Sequence, residues 1–108
     1  MNSNKNITPR NDKGHRHGYC ESYYSNGQLD YKGIYVNGDR YGDWESYWSD
    51  GKLYHKGYFV NGKRHGYCED YFCDGQLHYK CIYNNGKEIG YEEVYGYSGK
   101  LKVKTFYL

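Results

Sequence analysis

Four cysteines are the most reactive side chains of this 108-residue sequence. Two of them, Cys68 and Cys81, stand at equal distances on either side of the turn signal Asp74-Gly75, so an antiparallel hairpin would place them opposite each other. We expect a non-hydrogen-bonded pair with Cα atoms about 4.5 Å apart, which is within disulfide range. Two interpretations stay open: a redox pair of Cys68 and Cys81, or two reduced, half-buried thiols.

Arginine and histidine recur in one local context. The sequence reads Gly-His-Arg-His-Gly around Arg16 and Gly-Lys-Arg-His-Gly around Arg64, and Arg40 stands midway between them. In a sheet these arginines would lie about 10 Å apart along one edge. One hypothesis is an anion-binding stripe of Arg16, Arg40, Arg64 and His65 for a phosphate, a lipid head group or an acidic surface. The alternative is a solvated edge whose charges oppose aggregation.

Neither metal binding nor catalysis is predicted from these residues. No Cys-x-x-Cys with a matching histidine pair occurs, and His15 and His17 lack a third assured ligand. The recurring glutamates each face a lysine in the expected register, which suits a scaffold and not acid–base catalysis. We therefore expect no enzyme, no metal and no cofactor.

A 24-residue repeat must position all of these side chains. Columns of Gly, Glu, Tyr, Leu and Lys recur at this spacing, beginning at Gly18, Glu21, Tyr23, Leu29 and Lys32. The repeat divides the chain into a partial unit, 14–17, and units 18–41, 42–65, 66–89 and 90–108. Residues 1–13 lie outside the pattern and are predicted to form a flexible polar tail.

Turn signals and composition predict β-structure. Each unit has one signal like Asn26-Gly27 and, in the first three units, a second like Asn37-Gly38, both typical of two-residue type I′ hairpins. The segments between them are rich in Tyr, which occurs 17 times, and Ala is absent. We predict an all-β, antiparallel meander of consecutive β-hairpins with about eight or nine strands.

The expected register assigns residues to two faces. A two-residue turn at Asn26-Gly27 pairs Tyr24 with Leu29 and Glu21 with Lys32, and the Glu–Lys pairing repeats in every unit. One face then collects Tyr24, Tyr31, Tyr35, Trp44, Trp48, His55, Phe59 and Phe72. The other collects Glu21, Tyr23, Lys32, Ile34, Tyr47 and Tyr71. One aromatic face must stay partly open, because a single sheet cannot bury both.

The segment from Gly42 to Leu53 is the clearest copy of the unit Gly-x-x-Glu-x-Tyr-x-x-(Asn/Asp)-Gly-(Gln/Lys)-Leu. This unit resembles the MORN repeat, in particular the variant MORN repeats of bacterial antitoxin-like proteins. The resemblance implies an elongated, curved single sheet whose aromatic-lined groove serves interaction, with no catalytic residues. It also implies binding of proteins or of acidic phospholipids.

These observations predict a non-enzymatic protein-interaction module, of an antitoxin, immunity or phage-type inhibitor kind. The predicted partner-binding residues are Tyr24, Trp44, Trp48, Phe72, Tyr47 and Tyr71, with a basic rim from the arginines. The alternative is capture of a small anion, such as a nucleotide or an acidic phospholipid head group, on the Arg/His edge. Nucleic acid is not expected at a net charge of +2. An edge-to-edge homodimer is compatible with open strands, and a polar start without a signal peptide leads us to expect a cytoplasmic protein.

Overall fold

Eight β-strands form one antiparallel sheet in the computed structural model, which describes residues 6–108. The strands are β1 (Gly18–Tyr23), β2 (Leu29–Val36), β3 (Asp39–Tyr47), β4 (Leu53–Val60), β5 (Lys63–Tyr71), β6 (Leu77–Asn84), β7 (Lys87–Tyr95) and β8 (Leu101–Tyr107). Spatial order follows chain order, and the molecule measures 45 × 33 × 11 Å. The predicted all-β meander of hairpins is confirmed as one open, curved layer.

The turn within each unit has three residues, not the two that we predicted. The amide of Gly27 donates to the carbonyl of Tyr24 (2.9 Å), and the amide of Tyr24 donates to the carbonyl of Gln28 (2.8 Å). Only Gly27 has a positive φ, 89°, as in a type I turn followed by a bulge. The side chain of Asn26 accepts from the amide of Gln28 (2.9 Å), which favours this turn over type I′.

The turn between units has the two residues expected. Asn37 and Gly38 both have positive φ, 49° and 91°, and Val36 pairs with Asp39. This is the type I′ geometry, in which an asparagine followed by glycine carries the least strain. Asn61-Gly62 and Asn85-Gly86 repeat it.

Bulges bring the predicted charged columns into one row. The longer turn shifts the register only next to it, so Glu21 still pairs with Lys32. Between units a second irregularity near Gly42, where φ is 78°, places Glu45 on the other side of Lys32. Repetition of both patterns produces a charge ladder across the whole sheet, formed by Glu21, Lys32, Glu45, Lys56, Glu69, Lys80, Glu93 and Lys104.

The two faces of the sheet differ in burial. We call the face with Arg40, Trp44 and Phe59 the arginine face, and the face with the charge ladder the tyrosine face. Cross-strand partners and residues two apart in a strand share a face. The buried residues all lie on the arginine face: Cys20, Tyr35, Trp44, Phe59, Cys68 and Cys81.

Trp44 and Trp48, which we predicted on one face, pack against different rings. Trp48 packs at the turn end of the sheet, with its ring centroid 4.4 Å from that of Tyr54. Trp44 packs instead on Tyr35 and Tyr31, at 4.9 and 6.1 Å. The tryptophans thus belong to separate clusters.

The segment before β1 lies along this strand. Ile7 exchanges two backbone hydrogen bonds with Glu21, of 2.9 and 3.0 Å, and the amide of His17 donates to the carbonyl of Pro9 (3.0 Å). Residues 1–5 of the predicted flexible tail lie outside the described residues. The predicted domain boundary at residue 14 stays a prediction.

Candidate interaction surfaces

The charge ladder of the tyrosine face is fixed by tyrosine hydroxyls as well as by lysines. A tyrosine two residues after each glutamate donates to its carboxylate, at 2.6 Å for Tyr23, 2.5 Å for Tyr47, 2.8 Å for Tyr71 and 2.8 Å for Tyr95. Lysines add ion pairs, such as Lys56 to Glu69 (3.5 Å) and Lys80 to Glu93 (3.3 Å). The sequence signal for these bonds is Glu-x-Tyr, because residues two apart share a face.

The hydrogen bonds shift the pKa values of both partners. The pKa of Glu21 is lowered by the hydroxyls of Tyr19 and Tyr23, and the pKa of Glu93 is lowered first by that of Tyr95. Burial and the bond to Glu69 raise the pKa of Tyr71 to about 12. Glu21 and Glu93 therefore stay charged, and Tyr71 stays protonated, near neutral pH.

Large side chains beside the ladder remain open to solvent. The exposed fractions are 71% for Tyr67, 53% for Tyr91, 55% for Phe106 and 44% for Ile34. Tyr67 pairs across strands with Ile82, and Tyr91 with Phe106. They form a second row on the tyrosine face, parallel to the ladder.

A groove of about 530 Å³ opens in this row at β3, β4 and β5. Its lining includes Tyr58 and Tyr67, the ladder residues Glu45, Lys56 and Glu69, and also Asp43 and His65. Aromatic walls with a few charged groups are typical of binding sites.

The arginine face is covered by its own guanidinium groups. The guanidinium carbon of Arg40 lies 4.9 Å from the ring centroid of Trp44 and 5.3 Å from that of Phe59. Arg64 lies 5.1 Å from the ring of Phe59, and Arg16 lies 5.3 Å from that of Tyr35. The predicted arginine stripe is thus stacked on aromatic rings, where cation–π attraction and burial of its methylenes stabilise the sheet.

Hydrogen bonds orient two of these arginines. Arg16 donates from Nη1 to the hydroxyl of Tyr35 (3.0 Å), and Arg64 donates from Nη1 to Nε2 of His55 (3.1 Å). His55 in turn bonds through Nδ1 to the carboxylate of Asp70. Within residues 6–108, Arg16, Arg40 and Arg64 make no ion pair with a carboxylate.

His65, which we grouped with the arginines, lies apart from them. Its Nδ1 accepts the amide of Asn85 (3.1 Å), and it lines the groove of the tyrosine face. His17 caps the preceding turn in the same way, accepting the amide of Asn37 (3.0 Å). These histidines fix the type I′ turns.

The predicted partner-binding residues fall into three environments. Trp44 is only 5% exposed and donates from Nε1 to the carbonyl of Ile34 (3.1 Å), so it belongs to the core. Trp48 and Phe72 pack near the turns, and the hydroxyl of Tyr24 donates to the carbonyl of Tyr47 (2.5 Å). Tyr47 and Tyr71 hold the charge ladder. Whether any of them contacts a partner stays a prediction.

Cys68 and Cys81 are opposite each other and joined by a disulfide. Their Cα atoms are 5.5 Å apart, which is typical of a hydrogen-bonded pair, and not the roughly 4.5 Å that we predicted. The longer turn explains the difference, because it shifts the alternation counted from the turn. Cys20 is buried and Cys73 is exposed, both as free thiols. A redox role for Cys68 and Cys81 stays a prediction.

In the fourth unit, two glutamates take the places of the arginine of the arginine face and of the tryptophan on which it stacks. Glu88 and Glu92 stand where Arg40 and Trp44 stand two units earlier, and the bulge at Gly90 (φ 68°) matches that at Gly42. The hydroxyl of Tyr79 donates to Glu92 (2.6 Å). Burial, and then the neighbouring Glu92, raise the pKa of Glu88 to about 7.

Fold and surfaces together define an all-β repeat protein whose consecutive hairpins present two chemically different faces. Residues 16–37 and 40–61 match the family model of the MORN repeat variant. These two segments are variant MORN repeats, as the resemblance implied. MORN repeats are generally non-enzymatic modules that bind proteins or membranes.

No curated protein and no solved structure matches this chain. In the described part of the chain, no helix has the length and apolar character that crossing a membrane requires. The groups of three or more His, Cys, Asp or Glu side chains that a metal ion needs are also missing from residues 6–108.

Proposed function

We propose that this chain is a non-enzymatic module that binds a protein partner through its tyrosine face. The observation that carries the proposal is the open row beside the charge ladder, in which Tyr67 is 71% exposed and Phe106 is 55% exposed. Exposed patches rich in tyrosine are typical of protein interfaces, where such side chains contribute most of the binding energy.

The charge ladder supports the same surface. Lysine Nζ and glutamate Oε atoms of the ladder form ion pairs of 3.3 to 3.7 Å. Tyrosine hydroxyls also donate hydrogen bonds to the carboxylates. A polar rim that is already ordered loses less side-chain entropy when a partner docks. The arginine face offers less, because its rings lie beneath its own guanidinium groups.

An antitoxin-, immunity- or phage-type inhibitor would act by such docking, without catalysis. That finer role rests on the resemblance of the repeat unit alone.

The test compares tyrosine variants on the two faces. Tagged wild-type protein, the double variant Tyr67→Ser/Tyr91→Ser and the control Tyr107→Ser are used to capture proteins from the native host, with quantification by mass spectrometry. Tyr107 pairs with Gly90 at the edge of the arginine face and is 37% exposed. We expect a specific protein that wild type and Tyr107→Ser retain and the double variant loses. A partner retained equally by all three would refute the assignment of this face.

A second candidate function is anion capture by the arginine stripe. It is favoured by one observation: Arg16, Arg40 and Arg64 have no carboxylate partner within residues 6–108. Inorganic phosphate, ATP or vesicles with acidic phospholipid should then raise the melting temperature, and Arg40→Lys should weaken the effect. If none of these anions raises it, this candidate fails.

A further inference from the structure

One column of tyrosines in the exposed row of the tyrosine face is interrupted once. The column that holds Tyr19, Tyr67 and Tyr91 holds Asp43 in the second unit. In the last hairpin the rings of Tyr91 and Phe106 pack at 4.9 Å, but the corresponding partner of Asp43 is Tyr58, which faces a carboxylate instead of a ring. The groove of about 530 Å³ lies at this interruption.

Asp43 is the uncompensated charge of the groove. Glu69 pairs with Lys56 at 3.5 Å, and Glu45 pairs with Lys32 at 3.7 Å. The exposed carboxylate of Asp43 makes neither an ion pair nor a side-chain hydrogen bond to any residue of the described range 6–108. The groove therefore combines one free negative charge with the exposed rings of Tyr58 and Tyr67.

From this geometry we infer that the groove receives an arginine side chain of the protein partner. The inference rests on the proposed function and names the chemistry of its contact. A guanidinium group can lie on a tyrosine ring and donate two hydrogen bonds to the carboxylate of Asp43 at the same time. Charge complementarity thus selects a basic residue, and the aromatic walls select arginine over lysine.

The molecule uses the same packing on its other face. Arg40 stacks on the rings of Trp44 and Phe59 at 4.9 and 5.3 Å. The arginine face supplies its own guanidinium groups. The groove supplies rings and the carboxylate of Asp43, and the lysine in its lining, Lys56, is paired with Glu69.

Peptide titration tests the inference directly. The probes are acetyl-Gly-Arg-Gly-amide and the same peptide with citrulline, lysine or glutamate in place of arginine, followed by shifts of backbone amide resonances. We expect saturable shifts at residues 43–45, 56–58 and 65–69 with the arginine peptide, weaker shifts with lysine and several-fold weaker ones with citrulline. Equal shifts with citrulline, or shifts confined to the arginine face, would overturn the inference.

Two charge-neutralising variants provide the matched control. Asp43→Asn should lower the affinity for the arginine peptide about threefold, which is the effect expected of one partly exposed charge pair. Asp12→Asn should leave this affinity unchanged. The partner captured through Tyr67 and Tyr91 is then tested against Asp43→Asn. If capture of the partner depends on the tyrosines, but neither capture nor peptide binding depends on Asp43, the protein-binding surface is supported and arginine binding in the groove is refuted.

Discussion

The two faces of this sheet share one sequence period but are held together in different ways. On the arginine face guanidinium groups cover aromatic rings, as when Arg40 of β3 covers Phe59 of β4. On the tyrosine face the hydroxyl bonds run along a strand, from each tyrosine to the glutamate two residues before it. The rings of Tyr35, Trp44 and Phe59 on the arginine face are 5 to 8% exposed, whereas those of Tyr67, Tyr91 and Phe106 on the tyrosine face are 53 to 71% exposed. Stability is therefore concentrated on one face, and the other is available for binding.

Replacing one aromatic residue on each face should separate these roles most clearly. Trp44→Ala removes a ring that is 5% exposed and should lower the free energy of unfolding by about 3–5 kcal/mol. Tyr67→Ala removes a ring that is 71% exposed and should change it by no more than about 0.5 kcal/mol. Urea unfolding measures both. Equal losses would contradict the division between the faces.

A glycine under the core ring should give the next largest effect. A Cβ at Gly33 would lie 2.2 Å from Cδ2 of Trp44, so Gly33→Ala should cost about 1–3 kcal/mol through displacement of the ring. At the equivalent Gly57 the nearest atom is Nη1 at the far end of the long Arg64 side chain, at 3.1 Å, and Gly57→Ala should cost less. Thermal unfolding of the two variants decides, and the reverse order would contradict the packing described.

The carboxyl pair of the fourth unit should make stability depend on pH. The pKa of Glu88 is raised from 4.5 to about 7, so the folded state keeps a proton that the unfolded state has lost between these values. Stability from this group is highest below pH 4.5 and falls as the pH rises to 7. In the wild type this group should lower the free energy of unfolding by about 1–2 kcal/mol over that pH range, and Glu88→Gln should abolish this decrease. The value is smaller than the full pKa shift implies, because the carboxyls are partly exposed. Parallel stability curves for wild type and variant would refute this.

Removing one hydroxyl of the tyrosine face should have the smallest effect. Tyr71→Phe deletes the 2.8 Å bond to Glu69 and should cost about 0.5–1.5 kcal/mol. Urea unfolding measures this effect. A stability loss as large as that of Trp44→Ala would contradict the comparison.

The repeat and its hairpins could be predicted because they depend on local chemistry. Asn37-Gly38 specifies a type I′ turn from two residues, and the Glu–Lys columns specify the register between strands. The type of the Asn26-Gly27 turn could not be predicted in the same way, because a bond from the Asn26 side chain competes with type I′ geometry. That one-residue difference places the Cα atoms of Cys68 and Cys81 5.5 Å apart instead of about 4.5 Å.

The residue types of the candidate surfaces could be predicted from the sequence, but the positions of these residues in the structure could not. An aromatic surface and an arginine stripe were expected, yet Trp44 is buried under Arg40, and His65 lies apart from Arg64. The bulge at Gly42 brings Arg40 onto Trp44, and the regular alternation of side chains along a strand does not predict that bulge. The Glu-x-Tyr bonds, by contrast, could have been read from the spacing of two.

By itself the sequence determined the period, the strand order and the row of alternating charges, because turn residues and cross-strand pairs act over a few neighbouring positions. Only the tertiary structure decided which aromatic face is closed and which is open. Burial depends on whether a long side chain from the next strand can reach across a ring. That reach is set by the bulges and the curvature of the sheet, which belong to the assembled strands and not to any one of them.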